Sequence, residues 1–159
     1  MTFLLMNLLL AITWAAITAN FTFVGLAIGF VLGYVALWFT QPIFGQGPNP
    51  YFTRVVAGIR LLIYFHYELI KSSIDVAWDV ITPRAHARPS LIEVPLDAKS
   101  DLEILLVTNL ISLTPGTLSV DVTEDRSTLL VHAMFAEDPQ ALVDDLKNGM
   151  ERMVREAVG

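Results

Sequence analysis

The chain has 159 residues, a net charge of −6 and no cysteine. The missing cysteines exclude a disulfide framework and a thiolate metal site. The acidic balance argues against a nucleic-acid partner, since phosphate binding needs clustered Lys and Arg.

Hydrophobic residues make up 54% of the chain, against about 45–50% for soluble domains. The mean hydropathy of +0.57 averages two unlike parts. No Asp, Glu, Lys, Arg or His precedes Arg54, so every side chain of these types falls in the last two thirds. A membrane segment without such groups cannot itself relay protons or hold a cation by a carboxylate.

Phe3 to Ala19 is apolar apart from Asn7, Thr13 and Thr18, and Phe21 to Phe39 is apolar apart from Thr22. One helix through both would be roughly 60 Å long, twice the hydrocarbon core. Residues 1–41 are therefore expected to form a transmembrane hairpin that turns at Ala19-Asn20, where Asn tolerates turn geometry. The absence of Lys or Arg before the first apolar run, and its continuation to Phe39, point to retained spans instead of a cleaved leader. The second stretch carries eleven Leu, Ile, Val and Phe residues, worth about −0.3 to −0.6 kcal/mol each towards insertion. Gly25, Gly29 and Gly33 recur at intervals of four on one face, a groove that lets another helix come close.

Residues 42–53, with Pro42, Gly45, Gly47, Pro48 and Pro50, read as a loop. Residues 54–82 read as one long amphipathic helix that stops before Pro83. Val56, Ile59, Ile63, Ile70, Ile74, Ala77 and Ile81 form one stripe; Glu68, Lys71, Asp75 and Asp79 form another. Insertion of the first half is nearly balanced, because Arg60 and Glu68 each oppose it by up to about 3 kcal/mol. A helix lying in the interface is preferred, with a third span as the competing reading; Tyr64, Tyr67 and Trp78 suit headgroup depth. Arg60, His66, Glu68 and Lys71 are a candidate interfacial polar cluster. Ionisable groups at that depth can mark an ion path, but a surface helix must show a charged face in any case, with snorkelling side chains. The latter reading is preferred. Lys and Arg residues near the spans all follow the second one, which places the soluble part in the cytoplasm.

After a linker at 83–89 that holds His86, residues 90–159 are expected to make a small α+β domain. Leu91 to Leu96 reads as a strand. Ser100 and Glu103 have capping-box spacing before a helix with an apolar face of Leu102, Leu106, Leu110 and Leu113. Thr114-Pro115-Gly116-Thr117 is a sharp turn. Leu118, Val120 and Val122 alternate with polar residues as in a half-buried strand, and Thr128 to Phe135 is a further strand in which His132 is read as half-buried. Asp138 and Pro139 open a last helix with Leu142, Leu146, Met150, Met153 and Val154 on one face. The order strand-helix-strand-strand-helix suggests two helices on one face of a three-stranded sheet, with the first two strands parallel in direction.

No phosphate loop, dinucleotide fingerprint or nucleophile elbow occurs. No two His residues have metal-ligand spacing. Ser112 and Thr114 lack a base beside them, and Asp144 and Asp145 read as a solvated helix face. No catalytic, cofactor or metal site is expected.

The run Thr108-Asn109-Leu110-Ile111-Ser112-Leu113-Thr114-Pro115-Gly116-Thr117-Leu118-Ser119-Val120 resembles the hallmark of the E-type subunits of the Mrp-type multisubunit sodium/proton antiporters. The layout is similar over nearly the whole length: apolar amino-terminal part, charged amphipathic helix, small cytoplasmic domain with an L-T-P-G-T turn. The resemblance implies an accessory or assembly subunit of a bacterial plasma-membrane complex that exchanges Na⁺ for H⁺. Its partners would be other membrane subunits and the lipid bilayer. Thr114, Pro115, Gly116 and Thr117 match as structural turn residues, and no catalytic residue carries over. Two readings from other classes stand beside it: a membrane-tethered cytoplasmic adaptor or ligand-sensing domain, and a membrane-bound enzyme, for which no acid-base pair is visible.

Overall fold

The computed structural model describes residues 2–41, 49–83 and 87–159. The prolines and glycines expected at 42–48, and Arg84 and His86 of the expected linker, lie outside them. The architecture is helical with a small antiparallel sheet. The chain divides into two compact units, Met1–Thr53 and Arg54–Gly159.

In the first unit, α1 (Thr2–Ile17) and α2 (Phe23–Thr40) pack antiparallel. Gly25, Gly29 and Gly33 are buried. A Cβ at Gly29 would lie 2.9 Å from the Ala11 carbonyl oxygen, and one at Gly33 would collide with Asn7 Oδ1. The matching residues of α1 are small as well: Ala11 and Ala15 are buried. The large apolar side chains, among them Leu5, Ile12, Val31 and Phe39, face outward.

The reversal differs from expectation in which residue bends. Ala19 takes the left-handed conformation (φ 48°). Ala19 N–H donates to Ala16 O (3.2 Å) and Asn20 N–H to Ala15 O (2.9 Å), the paired bonds of a Schellman helix end. Asn20 acts through its side chain, whose Oδ1 accepts from the Thr22 hydroxyl at 2.7 Å. Thr22 then caps α2 by accepting from Gly25 N–H.

α3 (Pro50–Ile81) begins four residues before the expected start. Asn49 Oδ1 accepts from Tyr51 N–H at 3.0 Å, and Pro50 follows where its missing N–H costs nothing. Its first residues close an aromatic cluster in which Phe52 packs on Phe3 and Tyr34.

In the second unit, β1 (Ser90–Pro95), β2 (Thr117–Val122) and β3 (Thr128–Ala133) form one sheet. Its order is β1-β3-β2, with both pairings antiparallel. β1 and β2 thus run in the same direction without touching. α4 (Asp101–Leu113) and the carboxy-terminal helix cover one face. The latter comprises α5 (Pro139–Asp145), a π segment (Leu146–Glu151) and α6 (Arg152–Val158). Ile92, Val94, Val107, Leu129, Val131 and Val154 centre the core.

Three facing assignments are corrected. On α4 the buried residues are Glu103, Val107 and Ile111; Leu106 and Leu110 of the expected face do pack against the core, but Leu102 and Leu113 are exposed. On β2 the register shifts at Val120, so Leu118 and Val120 point away from the helices at 54% and 51% exposure. A bulge of one residue reverses the facing of everything beyond it. The inward positions are instead hydroxyls that serve α4: Thr117 Oγ1 donates to Ile111 O (2.7 Å) and Ser119 Oγ to Thr108 O (2.9 Å). His132, paired with Leu91 and Leu118, is exposed on the uncovered face.

Candidate functional site

α3 is amphipathic in a specific sense. Within the second unit its apolar stripe (Ile59, Ile63, Ile70, Ile74 and Ile81) is exposed. The half-buried face is the mixed one: Leu61, Tyr64, Glu68, Ser72, Val76 and Asp79. That face borders a cavity of about 340 Å³, at the low end of the ~300–1,000 Å³ usual for small-molecule sites. Tyr64, Glu68, Lys71 and Asp75 form one wall; Thr114 to Thr117, Phe135, Asp145 and Met150 form the other.

The Thr114-Pro115-Gly116-Thr117 turn is built by local bonds. Thr114 Oγ1 donates to Leu110 O (2.9 Å), and Thr117 Oγ1 closes the last turn of α4. Gly116 sits at φ 88°, a region that disfavours any side chain. Its carbonyl accepts from Met134 N–H at 2.7 Å, which ties the turn to the end of β3. Across the cavity, Gly149 in the π segment leaves the space that Tyr64 Oη occupies, where a Cβ would collide with it. Burial first, then the nearby Glu68 and Asp145 charges, push the Tyr64 phenol above its ordinary range. π segments of this kind often mark functional positions.

Of the candidate polar cluster, Glu68 and Lys71 meet at 3.9 Å and line the cavity. Arg60 and His66 are exposed and do not line it. His66 stacks edge-on with Phe65, and its Nδ1 lies 2.7 Å from Leu62 O. Asp145, read from sequence as solvated, stands at the cavity mouth. Among the described residues no three His, Asp or Glu side chains converge as a metal set.

A second feature escaped sequence reasoning. Glu151, 2% exposed, accepts through Oε1 from the N–H groups of Asp97 (2.6 Å) and Ala98 (2.7 Å). Glu103 Oε2 takes the next two, Lys99 and Ser100, at 2.8 and 3.0 Å. Four consecutive amides of the β1–α4 loop are thus held by two buried carboxylates. The Ser100 and Lys99 bonds hold the Glu103 carboxyl below its usual range. The Glu103 half is legible as a capping box; nothing local signals Glu151, which is 54 residues from Asp97.

An apolar hairpin, a long amphipathic helix and a small sheet domain built around a tight turn are the make-up of a membrane-type component of a larger assembly. The profile of the Na⁺/H⁺ ion antiporter subunit family matches residues 7–157, and the chain belongs to that family. It is 33% identical over 153 residues to the E subunit of the Na⁺/H⁺ antiporter of Alkalihalophilus pseudofirmus, covering 96% of both chains. It is 34% identical over 155 residues to the E1 subunit of the Na⁺/H⁺ antiporter of Staphylococcus saprophyticus, covering 96% of this chain and 94% of that one. Among solved structures, a chain of the Mrp complex from Dietzia sp. is similar over 62% of this chain and 92% of that one. There the TM-score is 0.50 and the identity 28%. A chain of the archaeal membrane-bound sulfane sulfur reductase, a respiratory membrane complex, is similar over 96% of both, with a TM-score of 0.58 and 26% identity.

Proposed function

We propose that this chain is an accessory and assembly subunit of a multisubunit Na⁺/H⁺ antiporter in the bacterial plasma membrane. It supports cation efflux and pH homeostasis without carrying the ion path. The family match across residues 7–157 carries the first part of the reading. The absence of any Asp, Glu, Lys, Arg or His before Arg54 supports the second, because translocation needs a carboxylate or a lysine at depth.

The hairpin of residues 1–41 crosses the bilayer twice. α2 is long and apolar enough for this. α1 is a shorter apolar helix of 16 residues, about 24 Å at 1.5 Å per residue, a mismatch that local thinning accommodates. Gly25, Gly29 and Gly33 are the packing face of this hairpin. α3 lies in the interface with its isoleucine stripe towards lipid, and the outward exposure of that stripe supports this over a third span. The domain at 90–159 is cytoplasmic, and the Thr114–Thr117 turn is structural.

Deleting Ser90–Gly159 tests the reading. The expected result is a lower yield of the assembled complex and weaker antiport in everted vesicles. Full activity after the deletion, or Na⁺/H⁺ exchange by this polypeptide alone in liposomes, would contradict it. A stable lone protein that copurifies with no polytopic subunit would favour the tethered-adaptor alternative.

A further inference from the structure

The cavity beside the turn does not stand alone. A second depression of about 470 Å³ adjoins it and shares Asp75, Phe135, Leu142 and Asp145. Together they make one groove along α3. Among the described residues its carboxylates are Glu68, Asp75, Asp79, Glu137, Asp138 and Asp145, against two cations, Lys71 and Arg88. Some of these are engaged: Glu68 pairs with Lys71, Asp138 caps α5, and Asp79 accepts from Ala87 N–H. Asp75, Glu137 and Asp145 are exposed and have no ion pair among the described residues. Tyr64, Tyr67, Trp78 and Phe135 supply aromatic surface between them. Carboxylates interleaved with aromatic rings favour an ammonium or guanidinium group, by charge and by cation–π attraction.

We propose that this groove docks a Lys- or Arg-bearing cytoplasmic loop of a neighbouring membrane subunit. The inference rests on the reading of this chain as a subunit of a membrane complex. Short cytoplasmic loops of membrane proteins carry an excess of Lys and Arg close to the bilayer. The groove runs along the helix whose opposite face is the exposed isoleucine stripe, so it is presented at the depth where such loops emerge. Anionic headgroups are repelled by a wall whose carboxylates, among the described residues, outnumber its cations six to two. A bare metal ion lacks a convergent donor set among the described residues. Exposed ion pairs are individually weak, but a concave wall of one sign focuses the field and sets partner choice.

The test uses the full chain in native membranes. A carbodiimide activates a carboxylate, and a lysine amine in contact displaces the leaving urea to form an amide bond. Mass spectrometry of the membranes is expected to find Asp75, Glu137 or Asp145 joined to a lysine in a loop of a different subunit. Exchanging both carboxylates (Asp75→Lys with Asp145→Lys) is expected to reduce copurifying subunits at least fivefold. Asp75→Asn with Asp145→Asn should reduce them less. Both variants should keep the wild-type melting temperature, since the two side chains are exposed. Wild-type-like copurification of the charge-reversed chain would overturn the groove while leaving the subunit reading intact. Cross-links only within the chain, to a second copy, or to an aminophospholipid would also overturn it. A wild-type chain that brings down no other membrane subunit would overturn both.

Discussion

The two units bury opposite things. In the domain, large aliphatic side chains fill the interior and, Glu103 and Glu151 apart, charges face outward. In the hairpin, Gly, Ala and Asn7 fill the helix contact, with Phe3, Leu37 and Phe52 clustered at one end, while most of the other Leu, Ile, Val and Phe side chains face outward. Water expels apolar area and so rewards a greasy core. Where lipid replaces water that drive vanishes, and close backbone approach over small residues takes its place. The two units also treat buried polar groups differently. Glu151 and Glu103 each bind two backbone amides, whereas Asn7 makes one bond, its amide donating to Tyr51 Oη at 2.7 Å. Asn7 Oδ1 and Glu151 Oε2 are each without a partner among the described residues.

The contrast predicts its largest effect in the domain. Glu151→Ala orphans the buried amide of Ala98 and the part-buried amide of Asp97, and a lost partner at such a group costs about 1–3 kcal/mol. The domain should lose about 2–5 kcal/mol, and hydrogen exchange at Asp97 and Ala98 should accelerate selectively. Glu151→Gln, which keeps an acceptor, should retain much of that protection. Equal exchange in all three proteins would remove the carboxylate from any holding role.

In the hairpin the corresponding lesion is steric. Gly29→Leu forces a side chain against the Ala11 backbone and the Trp14 Cβ, 2.9 and 3.0 Å from the ideal Cβ. Overpacking of this kind costs about 1–3 kcal/mol, enough to separate the helices. Loss of the assembled band in a native gel is the expected readout; unchanged assembly would show that the glycines are not a packing face. The same substitution at Gly58, which has open space around it, serves as the control.

Legibility from sequence follows the range of the interaction. Gly25, Gly29 and Gly33 stood out in the sequence because they repeat at helical spacing, but which helix they face was not readable. The Ser100–Glu103 cap and the Asp138-Pro139 helix start were readable because a few consecutive residues contain the whole device. The facing of α4 and β2 was not, because it depends on the bulge at Val120 and on hydroxyls that reach across to carbonyls of α4. Alternation in Leu118, Val120 and Val122 looked like a core strand, yet only Val122, beyond the bulge, turns inward. The groove was half legible: Glu68, Lys71, Asp75 and Asp79 marked one wall, but Phe135, Asp145 and Gly149 reach the other only through the fold.

Acid separates the units further. A carboxylate whose pKa is lowered in the fold stabilises above its unfolded value and loses that contribution as pH falls through the lower folded one. Glu103 is such a group, held down by Ser100 and Lys99. Domain stability should therefore decline as pH drops below the unfolded Glu value of about 4.3. Glu103→Gln should flatten that decline and remove about 1 kcal/mol at neutral pH, the usual worth of a cap. The hairpin has no Asp, Glu or His before Arg54 and should hold its helicity through the same range. Amide hydrogen exchange resolves the two units in the intact chain; coincident acid transitions in both would break this distinction.

The smallest effect lies at the hairpin turn. Ala19 occupies the position after the α1 end where glycine is usual, at φ 48°. Left-handed backbone costs a residue with a Cβ about 1 kcal/mol. Ala19→Gly relieves that strain, although the freer unfolded chain returns part of the gain. The net expectation is a stabilisation of about 0.5 kcal/mol, read as slightly greater resistance of the hairpin to denaturation in detergent micelles. Ala19→Val should act in the opposite sense, because a β-branched side chain tolerates this region least. If both substitutions shift stability in the same direction, the turn is held by the Asn20 and Thr22 side chains and the backbone of Ala19 carries no strain that matters.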